Sequence, residues 1–258
     1  MKPHKEHSWS KYKDHAVVLA NKLYLRVFDQ KSNISMEEYR LWLRQNSKSF
    51  EEWAGAIDAK LCEEAIAFKD SFYVKANEEL KNIPHNMGGG ALCEVLYFVV
   101  RHFAPKTIVE TGVAAGFSTQ SMFSAAEHLE HEVTIYSSDF PYFRQAGAED
   151  YIGCLVDDSY KANWHLHTNG DQNNMKEILP VCGTIDFCHY DSDKRYASRV
   201  RTLAQIMPQM APDGVIMIDD IHDNPHFYDF VMQNGFENFV VFEHKGGTPA
   251  ALIQLGEA

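Results

Sequence analysis

Residues 107–120 read TIVETGVAAGFSTQ. A β-branched run, Thr107 to Val109, gives way at Glu110 to a turn holding Gly112 and Gly116, and Phe117 to Gln120 then open a segment with helical spacing. β-branched residues favour strands, and glycine admits the positive φ that a tight strand-to-helix turn needs. Working outward, further strand-like runs recur at 133–138, 164–167, 184–190, 215–218, 239–244 and 251–255. Helical spacing occupies 91–103, 118–130, 172–179, 195–210 and 225–234. Strands alternating with crossover helices predict a mainly parallel sheet covered on both faces. The last two runs lie too close for a helix between them, so they should pair antiparallel at the sheet edge.

The chain therefore reads as α/β, a Rossmann-like, doubly wound, seven-stranded sheet with an antiparallel edge strand. Residues 1–83 differ, with few glycines or prolines and apolar residues at helical spacing. Val17 to Phe28 suggest one helix and Tyr39 to Leu43 another, and Ser49 with Glu52 has capping-box spacing for a third helix running to about Lys81. Pro84 and Gly88–Gly90 break the pattern. We read 1–83 as an N-terminal helical cap and 84–258 as the main domain.

The 258 residues are 45% hydrophobic and 23% charged, with no apolar run long enough to span a bilayer. A net charge of -12 speaks against a nucleic-acid or anionic-membrane partner, although residues 1–31 carry a local +4. The five cysteines, Cys62, Cys93, Cys154, Cys182 and Cys188, include no CxxC pair and read as free thiols. The first residues do not resemble a secretory signal, so the expected location is cytoplasmic. The apolar N-terminal helices suit a homodimer.

In such a sheet, ligands sit at the carboxyl ends of the strands. Glu110, Gly112 and Gly116 make an E-x-G-x-x-x-G turn where a ligand can approach the backbone and a helix start offers free N–H groups. The turn lacks the G-x-G-x-x-G register of a dinucleotide site, which leaves a nicotinamide-dependent oxidoreductase as the alternative. No serine-hydrolase elbow or phosphate-binding P-loop is present.

ETGVAAGFS resembles motif I of the class I S-adenosylmethionine-dependent methyltransferases, and the similarity extends over 84–258. It implies S-adenosylmethionine as cofactor, with Gly112 and Gly116 facing its methionine portion and Glu110 and Ser118 as further cofactor-binding residues. Asp139, in YSSDF, stands where the family binds the ribose hydroxyls, and a carboxylate suits that task as a pure acceptor. NGDQN resembles the loop around adenine, with Asp171 and Gln172 as contacts; Asp171 also suits a helix N-cap. The segment from Tyr142 to Trp164 resembles insertions in bacterial small-molecule methyltransferases, and with the helical cap it should build the acceptor pocket.

IDFCHYDSDKRY and VIMIDDIHD add a second constellation. Asp191 follows one strand and Asp219 and Asp220 follow the next, so three carboxylates converge and call for a compensating cation. A hard divalent ion, Mg²⁺ or Mn²⁺, suits an all-oxygen set. The arrangement resembles the catechol and caffeoyl-CoA O-methyltransferases, in which a lysine follows the first Asp by three residues. That resemblance implies Asp191, Asp219 and Asp220 as metal ligands, Asp191 also beside the cofactor, and Lys194 as general base. His222 and His189 are rival bases, because imidazole titrates near neutrality. The implied reaction methylates a hydroxyl of a small molecule. An inactive methyltransferase-like binding protein is the other alternative.

Overall fold

A computed structural model describes residues 32–88, 90–140, 147–243 and 248–256. Its sheet has eight strands: β1 Ser47–Lys48, β2 Thr107–Thr111, β3 Thr134–Ser138, β4 Trp164–His167, β5 Ile185–Tyr190, β6 Met210–Ile218, β7 Phe239–Phe242 and β8 Ala250–Gln254. Their order is β1-β7-β8-β6-β5-β2-β3-β4. The expected strands all form, and β8 pairs antiparallel with both β6 and β7. β8 is thus the reversed strand, one place in from β7.

The eighth strand, β1, is an addition to the sequence reading. It pairs parallel to β7 and so occupies the outer edge. Two residues carry no readable alternation. Their place is fixed by tertiary contact, as the Val241 N–H donates to the Asn46 carbonyl at 3.2 Å.

The described helices are α1 Met36–Gln45, α2 Phe50–Ile57, α3 Ala59–Leu80, α4 Cys93–Phe103, α5 Phe117–Ala126, α6 Asp171–Cys182, α7 Tyr196–Ile206 and α8 His226–Asn234. The helix expected over Val17–Phe28 lies outside the described residues. Ser35 and Glu38 close a full capping box at α1. Ser49 does cap a helix, accepting from the Glu52 N–H, but that helix stops at Ile57 instead of running to Lys81. Asp58 leaves helical geometry at φ -150° and starts α3 afresh, its carboxylate accepting from the Leu61 N–H at 2.9 Å. Asp is a strong N-cap because its side chain satisfies an otherwise unmatched N–H.

These early helices share the cores of the main sheet. Trp42 stacks on Phe239 at 5.3 Å, and Trp53 meets Phe98 and Phe242 edge-on at 5.2 Å. The Tyr39 hydroxyl donates to the Ile221 carbonyl at 2.6 Å. Strand alternation divides the interior in two. Ile108, Phe187, Val215 and Met217 pack with α2–α5 on one face, whereas Val109, Cys188, Ile216 and Ile218 pack with α1 and α6–α8 on the other. Each fully buried side chain of this size contributes about 1.5–3 kcal/mol. All five cysteines are free thiols. Among the described residues no helix is long and apolar enough to cross a membrane.

Candidate active site

The glycine turn sits where β2 enters α5. Gly112 has φ +85° and Gly116 φ +100°, a region that costs other residues about 1–2 kcal/mol. A Cβ on Gly112 would lie 2.5 Å from the Asp191 carbonyl oxygen, so the loop and the end of β5 touch through backbone. Gly116 caps α5 with no side chain over the helix start. Unmatched first-turn N–H groups there favour a polar or anionic ligand group. A cleft runs between Gly88, Gly90 and Ala91 on one side and Ala114, Ser118 and Asp191 on the other. Gly88 and Gly90 therefore border the expected cofactor loop.

Glu110 lies under this loop. Its carboxylate is fully buried and accepts from Ser118 Oγ at 2.5 Å, Thr119 Oγ1 at 2.7 Å and Ser137 Oγ at 2.6 Å. It ties β2, α5 and β3 together, and Ser118 turns its hydroxyl inward to it while also bordering the cleft. The described part of the insertion backs the loop: Gly153 N–H donates to the Ala114 carbonyl and Leu155 N–H to that of Ala115. Ala148, Ile152 and Leu155 pack against Val113, Ala115 and Phe117.

Asp139, at the end of β3, is nearly buried. Its Oδ2 accepts from the Val113 and Ala114 N–H groups at 3.1 and 2.8 Å, and Oδ1 from the Phe140 N–H at 2.5 Å. Burial raises its pKa against the lowering effect of those amides. Asp171 is the first residue of α6, with Gly170 as the N-cap, so the capping alternative for Asp171 does not hold. Its carboxylate accepts from Ser138 Oγ at 2.7 Å and Ser192 Oγ at 2.5 Å. Gln172 turns toward α7, its Nε2 lying 3.3 Å from Thr202 Oγ1.

Asn174, absent from the sequence reading, is a hub of this corner. It is fully buried; its amide donates to the Asp139 and His167 carbonyls at 3.0 Å, and its oxygen accepts from the Asn169 N–H at 2.9 Å. Its only signal in the sequence was an amide three residues after Asp171.

Asp191 and Asp219 come together as expected, because β5 and β6 are adjacent and parallel and Asp219 N–H donates to the Tyr190 carbonyl at 2.9 Å. Asp220 does not join them. It adopts φ +53°, and its carboxylate instead takes Lys194 Nζ at 3.0 Å and the Thr248 hydroxyl. Of the expected ligand trio, Asp191 and Asp219 cluster with each other, while Asp220 pairs with Lys194. The third donor within reach is His189, one ligand atom of which lies within 4.8 Å of those of Asp191 and Asp219. Its place was readable: His189 and Asp191 are two apart, the spacing of one strand face.

Lys194 also forms a close ion pair with Asp191, and its Nζ donates to the Asp191 carbonyl at 2.8 Å. Burial would lower its pKa, but Asp191 and Asp220 outweigh that and hold the ammonium charged. Asp219, only 9% exposed, is pushed up to about 6 by burial and by the negative charge of Asp191. For His189, burial opposes the charged ring, yet Glu110, Asp191 and Asp219 together raise its pKa. His222 lies on the turn after Asp220, with Nε2 3.0 Å from Asp223. Arg199, fully buried, donates to the Asp219 and Asp220 carbonyls at 3.0 and 2.9 Å and fixes the end of β6.

The doubly covered, mainly parallel sheet with its reversed strand matches the methyltransferase fold. Residues 109–221, which hold the loop, Asp139, Asp171 and the Asp191–Asp219 pair, match a family model described as a methyltransferase domain. No curated protein matches the sequence.

Solved structures carry the same fold. A protein from Klebsiella pneumoniae assigned as an O-methyltransferase is 17% identical, with 84% of this chain and 100% of that chain covered and a TM-score of 0.54. The O-methyltransferase TomG of Streptomyces achromogenes, involved in tomaymycin synthesis and solved with S-adenosylmethionine, is 13% identical over 72% of this chain and 90% of that one, with a TM-score of 0.52. An O-methyltransferase from Bacillus cereus, solved with S-adenosylhomocysteine, is 12% identical over 83% and 98%, also at 0.52.

Proposed function

We propose that this protein transfers the methyl group of S-adenosylmethionine to a hydroxyl of a small molecule, with a divalent cation at Asp191 and Asp219. The observation that carries the reading is the contact between Gly112 and the Asp191 backbone. It gives the cofactor loop and the carboxylate cluster a common wall, so methyl donor and acceptor meet in one cleft. The resemblance to O-methyltransferases supports oxygen as the acceptor atom, and the net negative charge disfavours a nucleic-acid substrate.

In the reaction the acceptor oxygen forms a bond to the methyl carbon as the sulfur–carbon bond breaks. The sulfonium electrons return to sulfur, S-adenosylhomocysteine leaves, and the hydroxyl proton passes to a base. Alignment supplies much of such a barrier reduction. The glycine loop fixes the methionine portion, Asp139 the ribose and Asp171 the adenine amine. Lys194 stands at the acceptor end. Held charged by Asp191 and Asp220, it steadies the developing oxyanion, and it takes a proton only after losing its own. A bound divalent cation would acidify the acceptor hydroxyl and offset the carboxylates around Lys194.

Calorimetry with S-adenosylhomocysteine, followed by transfer of labelled methyl to a panel of phenols, sugars and polyketides, tests the reading. Saturable binding with a labelled ether product is expected. A folded protein that binds no S-adenosylhomocysteine would overturn it.

A further inference from the structure

We propose that His189, Asp191 and Asp219 form a divalent-ion site whose imidazole selects Mn²⁺, Co²⁺ or Zn²⁺ over Mg²⁺. The proposal deepens the methyltransferase reading by naming the ligands and the ion class of the same cleft. Three observations carry it. The ladder places Glu110 beside His189 and Tyr190 beside Ile218, so by alternation His189, Asp191 and Asp219 share one face of the sheet. Each offers a ligand atom within 4.8 Å of the other two.

His189 is also 0% exposed, and neither ring nitrogen has a hydrogen-bond partner. Glu110, the nearest carboxylate paired with it, stands 3.8 Å from Nδ1, too far for a hydrogen bond. Buried polar atoms are nearly always satisfied, so two bare ring nitrogens call for a partner. An ion satisfies one nitrogen, and a small shift brings the other to Glu110, the carboxylate–histidine–metal arrangement that orients such ligands.

Finally, Asp191 also pairs with Lys194 but keeps a ligand atom within 4.8 Å of His189 and Asp219, whereas Asp220 lies outside that cluster. Asp220 is held by Lys194 and Thr248. Two carboxylates and an imidazole suit ions that accept nitrogen, whereas Mg²⁺ favours oxygen and water.

The test uses the full chain after treatment with a chelator. Mn²⁺ is titrated by electron paramagnetic resonance, its pulsed spectrum is examined for coupling to an imidazole nitrogen, and Mg²⁺ competes for the bound ion. We expect nitrogen coupling and Mn²⁺ affinity at least about tenfold above that for Mg²⁺. His189→Gln should abolish the coupling and weaken Mn²⁺ about tenfold or more, while Asp220→Asn shifts it by less than about threefold.

Mn²⁺ bound without nitrogen coupling, Mg²⁺ binding as tightly, or no Mn²⁺ binding at millimolar concentration would each overturn the proposal. The wild-type spectrum decides this even if His189→Gln fails to fold. S-adenosylhomocysteine calorimetry on the metal-free protein keeps the two readings apart. Cofactor binding without a nitrogen-ligated ion sinks only the ion site, and the reverse result sinks only the methyltransferase.

Discussion

Asp139 Oδ2 accepts a 2.8 Å hydrogen bond from the backbone N–H of Ala114, a non-glycine residue held at φ +51°. The carboxylate expected to bind ribose thus also pins the cofactor loop in a conformation that alanine avoids. Asp139→Ala should therefore weaken S-adenosylhomocysteine and lower stability together, each by about 1–3 kcal/mol for a charged hydrogen-bond acceptor. Calorimetry and urea melts on one preparation check both. A variant that loses affinity at unchanged stability would show that the loop does not depend on Asp139.

Gly112→Ala tests the shared wall. Its Cβ would meet Asp191 backbone at 2.5 Å, whereas one on Gly235, also at positive φ, meets nothing within 4 Å. Gly235→Ala should cost about 1–2 kcal/mol, the left-handed conformation alone. Gly112→Ala adds displacement of Asp191, so it should cost more and also weaken cofactor binding. Equal melts for the two variants would mean that the loop and β5 separate freely.

The legible parts of this molecule were those with a period. Alternating runs marked β2 to β8, and strand adjacency brought Asp191 to Asp219. Asp58 escaped because a helix restart inside a continuous apolar pattern leaves only a cap residue as its signal. β1 escaped because two residues have no period. Asp220 could not be placed, since its left-handed backbone and its bond to Thr248 are tertiary facts. The two-residue spacing of His189 and Asp191 puts both on one strand face, so their convergence is legible in the sequence. The three hydroxyls from α5 and β3 that converge on Glu110 are tertiary hydrogen bonds with no mark in the sequence.

Asp219 should make stability depend on pH. Burial and the charge of Asp191 push its carboxyl up to about 6 in the fold, well above the ordinary carboxylate value of about 3.9. The fold is favoured by this group below about pH 4, and that contribution is lost as pH rises toward 6. Asp219→Asn should accordingly stabilise the metal-free protein at pH 7.5 by about 1–2 kcal/mol, with a gap that shrinks below pH 5. Thermal melts at pH 4.5 and 7.5 measure it. A destabilised variant at both values would show the carboxylate to be well compensated.

Lys194 is charged at neutral pH, held so by Asp191 and Asp220. Turnover should rise with pH as the ammonium loses its proton. Lys194→Met should remove that rise and lower kcat about 10²–10⁴-fold, the usual worth of general acid–base catalysis, with cofactor affinity nearly intact. A pH–rate profile identical in wild type and variant would move the base elsewhere.

Glu110 carries the last prediction. Ser118, Thr119 and Ser137 all donate to its carboxylate, and the Trp164 indole N–H donates to the Ser137 oxygen at 2.9 Å. Glu110→Ala strands three buried hydroxyls and opens a cavity beneath the loop. Each unsatisfied group costs about 1–3 kcal/mol, so a loss of about 3 kcal/mol or more is expected even with some relaxation. Glu110→Gln keeps the volume, and its amide can donate to Ser118 Oγ because a hydroxyl also accepts. It should cost about 1 kcal/mol. Urea titrations should show a lowered midpoint with an unchanged slope, since the native fold persists. S-adenosylhomocysteine affinity should fall in Glu110→Ala and largely survive in Glu110→Gln. If affinity instead falls equally in both while stability is spared, the carboxylate contacts the ligand directly and its role beneath the loop is wrong.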